Sequence, residues 1–150
     1  MRQVFFIKAS EDEGFTWKNI DLGREIAYHS GRKHKQDIGK IQLHDIVIGY
    51  SSDRIKAIEC LGRIISAGFF GSVDGDRFLI QKVVDLQKSI PWKRAGEVIP
   101  RMTRLNERIS AIIKLEPEEW LNLKKELTEQ KDIAGIVARL EKGWNDISIE

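Results

Sequence analysis

Along the chain, apolar residues first follow strand-like patterns and then, towards the end, helical ones. Residues 3–9, QVFFIKA, form a β-rich run bounded by the acidic SEDEG, which predicts a first strand and a loop. Between Thr16 and Ala27 the spacing of Trp17, Ile20 and Ile26 predicts a short helix capped by Thr16, with Gly23 working against it. Residues 28–39, YHSGRKHKQDIG, are polar and basic and read as a loop. Residues 40–50 and 55–65, rich in Ile, Val and Leu, predict two strands joined at Ser51-Ser52-Asp53. The glycine-rich SAGFFGSVDG, 66–75, ends in Asp-Gly, so Asp74 and Asp76 are expected to flank a hairpin turn before a further strand, Arg77–Leu86.

The closing third changes period. Glu116-Pro117-Glu118-Glu119 sets a proline at a first helical position and acids at the positive end of the dipole, predicting a helix over Pro117–Leu127. Asp132 is expected to cap a second helix carrying Ile133, Ile136, Val137, Leu140 and Trp144. Strands in the middle and helices at the end predict an α+β domain around a small sheet or barrel. It is expected to span residues 1–130, with residues 131–150 a C-terminal helix packed on it or leading to a linker. The apolar stripe favours packing.

Composition narrows the class. A chain of 150 residues with 41% hydrophobic and 32% charged residues fits one domain that buries a core without metals or disulfides. The single cysteine, Cys60, and an N-terminus too short in apolar residues for a signal peptide predict a cytoplasmic protein with no membrane span. Net charge is only +2, but it is segregated. Arg24–Lys40 holds five bases against two acids and Lys82–Arg108 seven against three, whereas Leu115–Glu150 holds nine acids against five bases. Such segregation predicts a basic face for a polyanion.

Catalytic motifs are missing. His29, His34, His44 and Cys60 lack metal-site spacing, and GFFGSVDGD lacks the Lys-Ser/Thr of a phosphate loop. The expectation is a binding module with no cofactor, no metal and no catalytic residue of its own. What remains is aromatics beside bases: Tyr28 before the RKHK run, Phe69 and Phe70 in a glycine-rich stretch, and Trp92 before Lys93 and Arg94. Aromatic faces with cations stack bases and grip the backbone that carries them. Arg32, Lys33, Lys35, Lys93, Arg94, Arg101 and Arg104 are the candidate phosphate contacts.

In order and spacing, residues 3–127 resemble the EVE and YTH-like domains of the PUA-like superfamily. QVFFIKAS is similar to the first YTH strand. AYHSGRKHKQDIGKIQLHDIVIGY resembles the EVE sequence of aromatic, basic loop and a strand opening on Gly-Asp, with His44-Asp45 here in its place. KAIECLGRI is similar to the next strand, and LNERISAIIKLEPEEWLNLKKEL to the closing signature. The resemblance implies a small mixed β-barrel flanked by helices that binds nucleic acid. It places Tyr28 at the first wall of an aromatic base pocket, usually Trp, and Phe69 or Phe70 near the second. It also places Lys8 and Ser10 at base-contacting strand-end positions, with Ala9 where YTH domains have Ser. Together with Trp92, these are the expected base pocket; Tyr50 is expected in the core. The implied function is reading a modified base flipped from DNA, as the specificity module of a McrB-type restriction system with an AAA+ motor domain and a nuclease subunit as partners. The alternative is an RNA-binding PUA-like protein that reads modified RNA.

Overall fold

The computed structural model describes residues 2–9, 16–30, 40–51, 56–69, 76–105 and 112–142, with side chains 27–30, 67–69, 76–77 and 103–105 outside the description. Six strands form one curled sheet: β1 Val4–Ala9, β2 Glu25–Ser30, β3 Ile46–Ser51, β4 Ala57–Phe69, β5 Asp76–Pro91 and β6 Ile112–Lys114, in the order β2-β5-β4-β3-β1-β6. β1 runs parallel to β3, and the other neighbours are antiparallel. Four helices follow β5: α1 Trp92–Val98, α2 Pro100–Leu105, α3 Pro117–Thr128 and α4 Lys131–Glu141.

β1 and β3 are apolar at nearly every position because both of their faces are covered. Alternation along β1 sends Val4 and Phe6 to an outer core packed by the helices, and Phe5, Ile7 and Ala9 to an inner core. The outer core includes Ile46, Ile48, Tyr50, Trp120, Leu123 and Leu127, and α4 adds Ile133, Val137 and Leu140. The inner core gathers Val47, Cys60, Ile64, Phe78 and Ile80 around Trp17.

α3 starts as its sequence predicts, with Pro117 in the first turn and a reciprocal Glu116–Glu119 capping box. α4 begins earlier than expected, with Gln130 as N-cap in place of Asp132. The Asp132 carboxylate instead accepts the Gln87 side-chain amide at 3.0 Å. Trp144 and the expected turn residues Asp74 and Gly75 lie outside the described residues.

The expected helix over 16–27 is replaced by a 3-10 turn at Trp17–Asn19 and by β2. Trp17 and Ile20, three residues apart, suit one 3-10 turn as well as an α-helix, and both point inward. Gly23 then takes φ of 79°, which ends the turn and frees Glu25–Ser30 to pair with β5. β2 therefore takes in residues 28–30 of the expected loop. The 40–50 strand starts only at Ile46, because residues 40–45 turn around Asp45, whose carboxylate accepts from the Gln42 and Gln3 backbone amides at 2.7 and 3.3 Å.

His44 sits in that turn with φ of 72°, the left-handed region where a side chain clashes with its own backbone. The resembled pattern has glycine at this point, so His44 fills a glycine position. Its Nδ1 is buried with no hydrogen-bond partner among the described residues, and burial, then Arg2 and Arg63, hold its pKa below the usual range. Replacing it should relieve strain that glycine's freedom in the unfolded chain only partly offsets. His44→Gly is expected to gain about 0.5–1 kcal/mol in denaturant unfolding.

Candidate nucleic-acid interface

The register between β2, β5 and β4 places the two expected pocket walls on adjacent rows of β5. Tyr28 pairs with Phe78, and the neighbouring Arg77 pairs with His29 on one side and Phe69 on the other. Tyr28 and Phe69 thus flank β5 at adjacent rows, which strand alternation turns to opposite faces of the sheet. Phe78 is a member of the inner core together with Ala9, the last residue of β1, and Trp17. The curl of the sheet therefore gathers the Tyr28 row and the end of β1 over one buried cluster. Ser10 and Phe70 lie outside the described residues, as do the side chains of Tyr28 and Phe69.

Trp17 holds that cluster in place. Its indole N–H donates to the carbonyls of both Ile7 and Tyr50, at 3.2 and 3.1 Å, across the parallel pair. Its own carbonyl accepts from the Lys82 Nζ at 2.9 Å. Lys82 is buried and its amine also meets the Asp85 carboxylate at 2.9 Å, so the charge is taken out of water only with partners supplied. Gly49 leaves no room for more: a Cβ there would come within 2.3 Å of the Cys60 Sγ and 3.0 Å of the Trp17 ring.

A second buried charge stands beside this plug. Between the pairs Ile58–Ile90 and Cys60–Asp85 the ladder slips, with Glu59 on β4 facing the stretch 86–89 on β5. The bulge breaks the alternation of β4 and turns Glu59 towards the 3-10 turn. Its carboxylate, 5% exposed, accepts the Ser51 hydroxyl on one oxygen and lies 3.5 Å from the Lys18 Nζ on the other. Ser51, at the end of β3, pairs with Ala9. The opposing bulge of β5 is clasped by Gln130, which donates to the Lys88 carbonyl at 2.9 Å.

Two expected pocket residues face elsewhere. Trp92 opens α1 and packs on the outer core, 4.8 Å from the Tyr50 ring and 6.0 Å from that of Phe6. An aromatic beside two bases is here a wedge between helix and sheet, because the helix start must bury its apolar side. Tyr50 is in the core as expected, and burial pushes its hydroxyl up to about 12. Lys8 pairs with Tyr50 between the inward Ile7 and Ala9, which puts it on the outer face.

The candidate phosphate contacts divide as well. Arg94 gives two parallel bonds to Glu126, at 2.8 and 3.0 Å, and a third to Glu97 at 2.9 Å. That pairing holds the Glu126 carboxyl below its ordinary range. Arg101 grips Glu119 at 2.9 and 2.7 Å and the Lys114 carbonyl at 2.9 Å. Both guanidinium groups clamp helices together, their donors engaged by carboxylates. Lys93 is exposed, while Arg32, Lys33, Lys35 and the Arg104 side chain lie outside the described residues. Lys93→Ala is expected to flatten a log-affinity against log-salt plot on duplex DNA by about 1, the share of one phosphate contact. Adding Arg94→Ala should move the melting temperature more than the slope, and a combined change near 2 would return Arg94 to the DNA contact.

No family model matches the chain, and no curated protein matches it. Solved structures do. The DUF55 domain of human thymocyte nuclear protein 1 superposes with a TM-score of 0.67 at 13% identity, over 85% of this chain and 98% of that one. The same human protein in complex with 5-methylcytosine-containing DNA gives 0.59 at 12%, over 81% and 95%. A hypothetical protein of Leishmania major gives 0.68 at 11%, over 87% and 98%. These likenesses fix the fold: a mixed α+β domain of the kind found in DUF55 structures.

Proposed function

We propose that this chain is a DNA-binding module that recognises a methylated base, turned out of the duplex into the mouth of the inner face and stacked against Tyr28. The observation that carries the reading is the register that pairs Tyr28 with Phe78, a member of the inner core together with Ala9 and Trp17. A neighbour of the same fold bound to DNA with 5-methylcytosine supports it. The curled sheet with helices on its outer face is consistent with the PUA-like class.

The chemistry agrees. A methyl group has no charge to read, so it is recognised by a shaped, dry, aromatic surface combined with hydrogen bonds to the base edge. Extrusion costs a few kcal/mol of stacking and pairing, which aromatic stacking in the pocket largely offsets. Exposed lysines supply a sequence-independent, salt-sensitive hold on the backbone. In this reading the chain is not an enzyme; it is the specificity part of a McrB-type restriction system, and strand scission belongs to an AAA+ motor and nuclease that partner it.

The test is a panel of identical duplexes carrying 5-methylcytosine, N6-methyladenine or no modification, with matched RNA, at two salt concentrations. A preference for one methylated DNA at both salts is the expected result. Equal affinity across the DNA panel would remove the base-reading function, and a preference for modified RNA would replace DNA as the target.

A further inference from the structure

The buried carboxylate beside the Trp17 plug has a use that the fold alone does not require. We infer that Glu59 is the hydrogen-bond acceptor for the exocyclic amine of the inserted base, so that the site selects cytosine- or adenine-type bases over thymine. The inference rests on the base-reading function proposed above and names the edge that is read.

Four observations lead to it. Glu59 is displaced from strand alternation by the ladder slip between Ile58 and Cys60, so the sheet gives up regular pairing where this side chain turns inward. It lies beside Ser51, where β3 ends next to Ala9, at the rim that the Tyr28 row shares through the inner core. The Ser51 hydroxyl occupies one oxygen and orients the group, while among the described residues the other oxygen has only Lys18, at 3.5 Å. Carboxylate oxygens accept about two bonds each, so acceptor capacity remains on the Lys18 side. Finally, the Lys18 side chain is 64% exposed, whereas Glu59 is 5% exposed. Lys18 therefore stands between the carboxylate and solvent, and an N–H of an entering base can take the place of an ammonium N–H.

The edge chemistry follows. Cytosine and adenine present an amino group, which a carboxylate accepts; thymine presents a carbonyl at the same place, which a carboxylate repels. 5-Methylcytosine and thymine carry the same methyl, so an aromatic pocket alone does not separate them. Glu59 does.

The experiment compares duplexes carrying 5-methylcytosine, unmethylated cytosine or thymine at one position opposite an abasic site, so that no pairing is lost on extrusion. The wild-type protein is expected to bind the 5-methylcytosine duplex about tenfold or more tightly than the thymine duplex. Glu59→Gln, which keeps shape and offers Ser51 an acceptor but replaces one oxygen by a donor, is expected to bring that ratio to within about twofold. Glu59→Asp, which withdraws the carboxylate by one methylene, is expected to fall between and serves if Glu59→Gln does not fold. A folded Glu59→Gln or Glu59→Asp protein with the wild-type ratio overturns the inference, as does a wild type that separates methylated from unmethylated cytosine but not 5-methylcytosine from thymine. A wild type blind to methylation of cytosine and of adenine alike overturns the base-reading function beneath it.

Discussion

Tyr28→Ala should weaken binding to duplex DNA carrying the methylated base by about 1–3 kcal/mol and leave binding to unmodified duplex unchanged. The asymmetry follows from where the residue acts. A stacking face contributes only when a base has left the helix, and non-specific binding through lysines never extracts one. The measurement is a pair of titrations per variant, with circular dichroism to establish that each is folded. A folded Tyr28→Ala protein that keeps the wild-type ratio of modified to unmodified affinity would remove the aromatic wall from the function.

Trp17→Ala is expected to cost about 3–5 kcal/mol of folding stability, the range for truncating a large buried aromatic. Two losses combine here. The ring is fully buried in the inner core, and its N–H serves the carbonyls of both Ile7 and Tyr50. Domains of this size are stable by only about 5–15 kcal/mol, so the variant should unfold at a much lower urea concentration. Trp17→Phe separates the two terms, since it keeps most of the ring and loses the donor. A Trp17→Ala protein as stable as wild type would mean that the 3-10 turn is not the plug of the inner face.

The parts legible in the sequence were those where one local rule had no competitor. QVFFIKA reads as a strand because nothing but a two-sided sheet buries such a run, and EPEE reads as a helix start because proline and acids favour no other position. Residues 16–27 misled because Trp17 and Ile20 fit two helical periods equally, and the strand that follows is set by pairing with β5, a contact remote in sequence. α1 and α2 were not foreseen, since Trp92–Val98 begins directly after a strand and carries a glycine.

At the site, the pairing of the Tyr28 row with Phe78 was not legible from local pattern, because it depends on register. Glu59 and Lys82 were missed altogether. In a sequence a charge reads as solvated surface, and no local signal marks one that a ladder slip will bury. The one available hint was an acid between Ile58 and Cys60 in an otherwise apolar run. Trp92, Arg94 and Arg101 show the converse: side chains suited to DNA are equally suited to closing helices on a sheet, and the carboxylates that claim the two arginines come from α1 and α3.

The single thiol of the chain lies in the inner core, against the place where Gly49 makes room and Trp17 closes it. Burial pushes the Cys60 thiol well above its ordinary pKa, so both access and thiolate are withheld while that face stays shut. Alkylation of the unaltered protein then waits on the opening of that face, and where the reagent outpaces reclosing it acts as a clock for that opening. A base seated in the mouth should slow the clock, giving occupancy a chemical readout that needs neither a label nor a substitution.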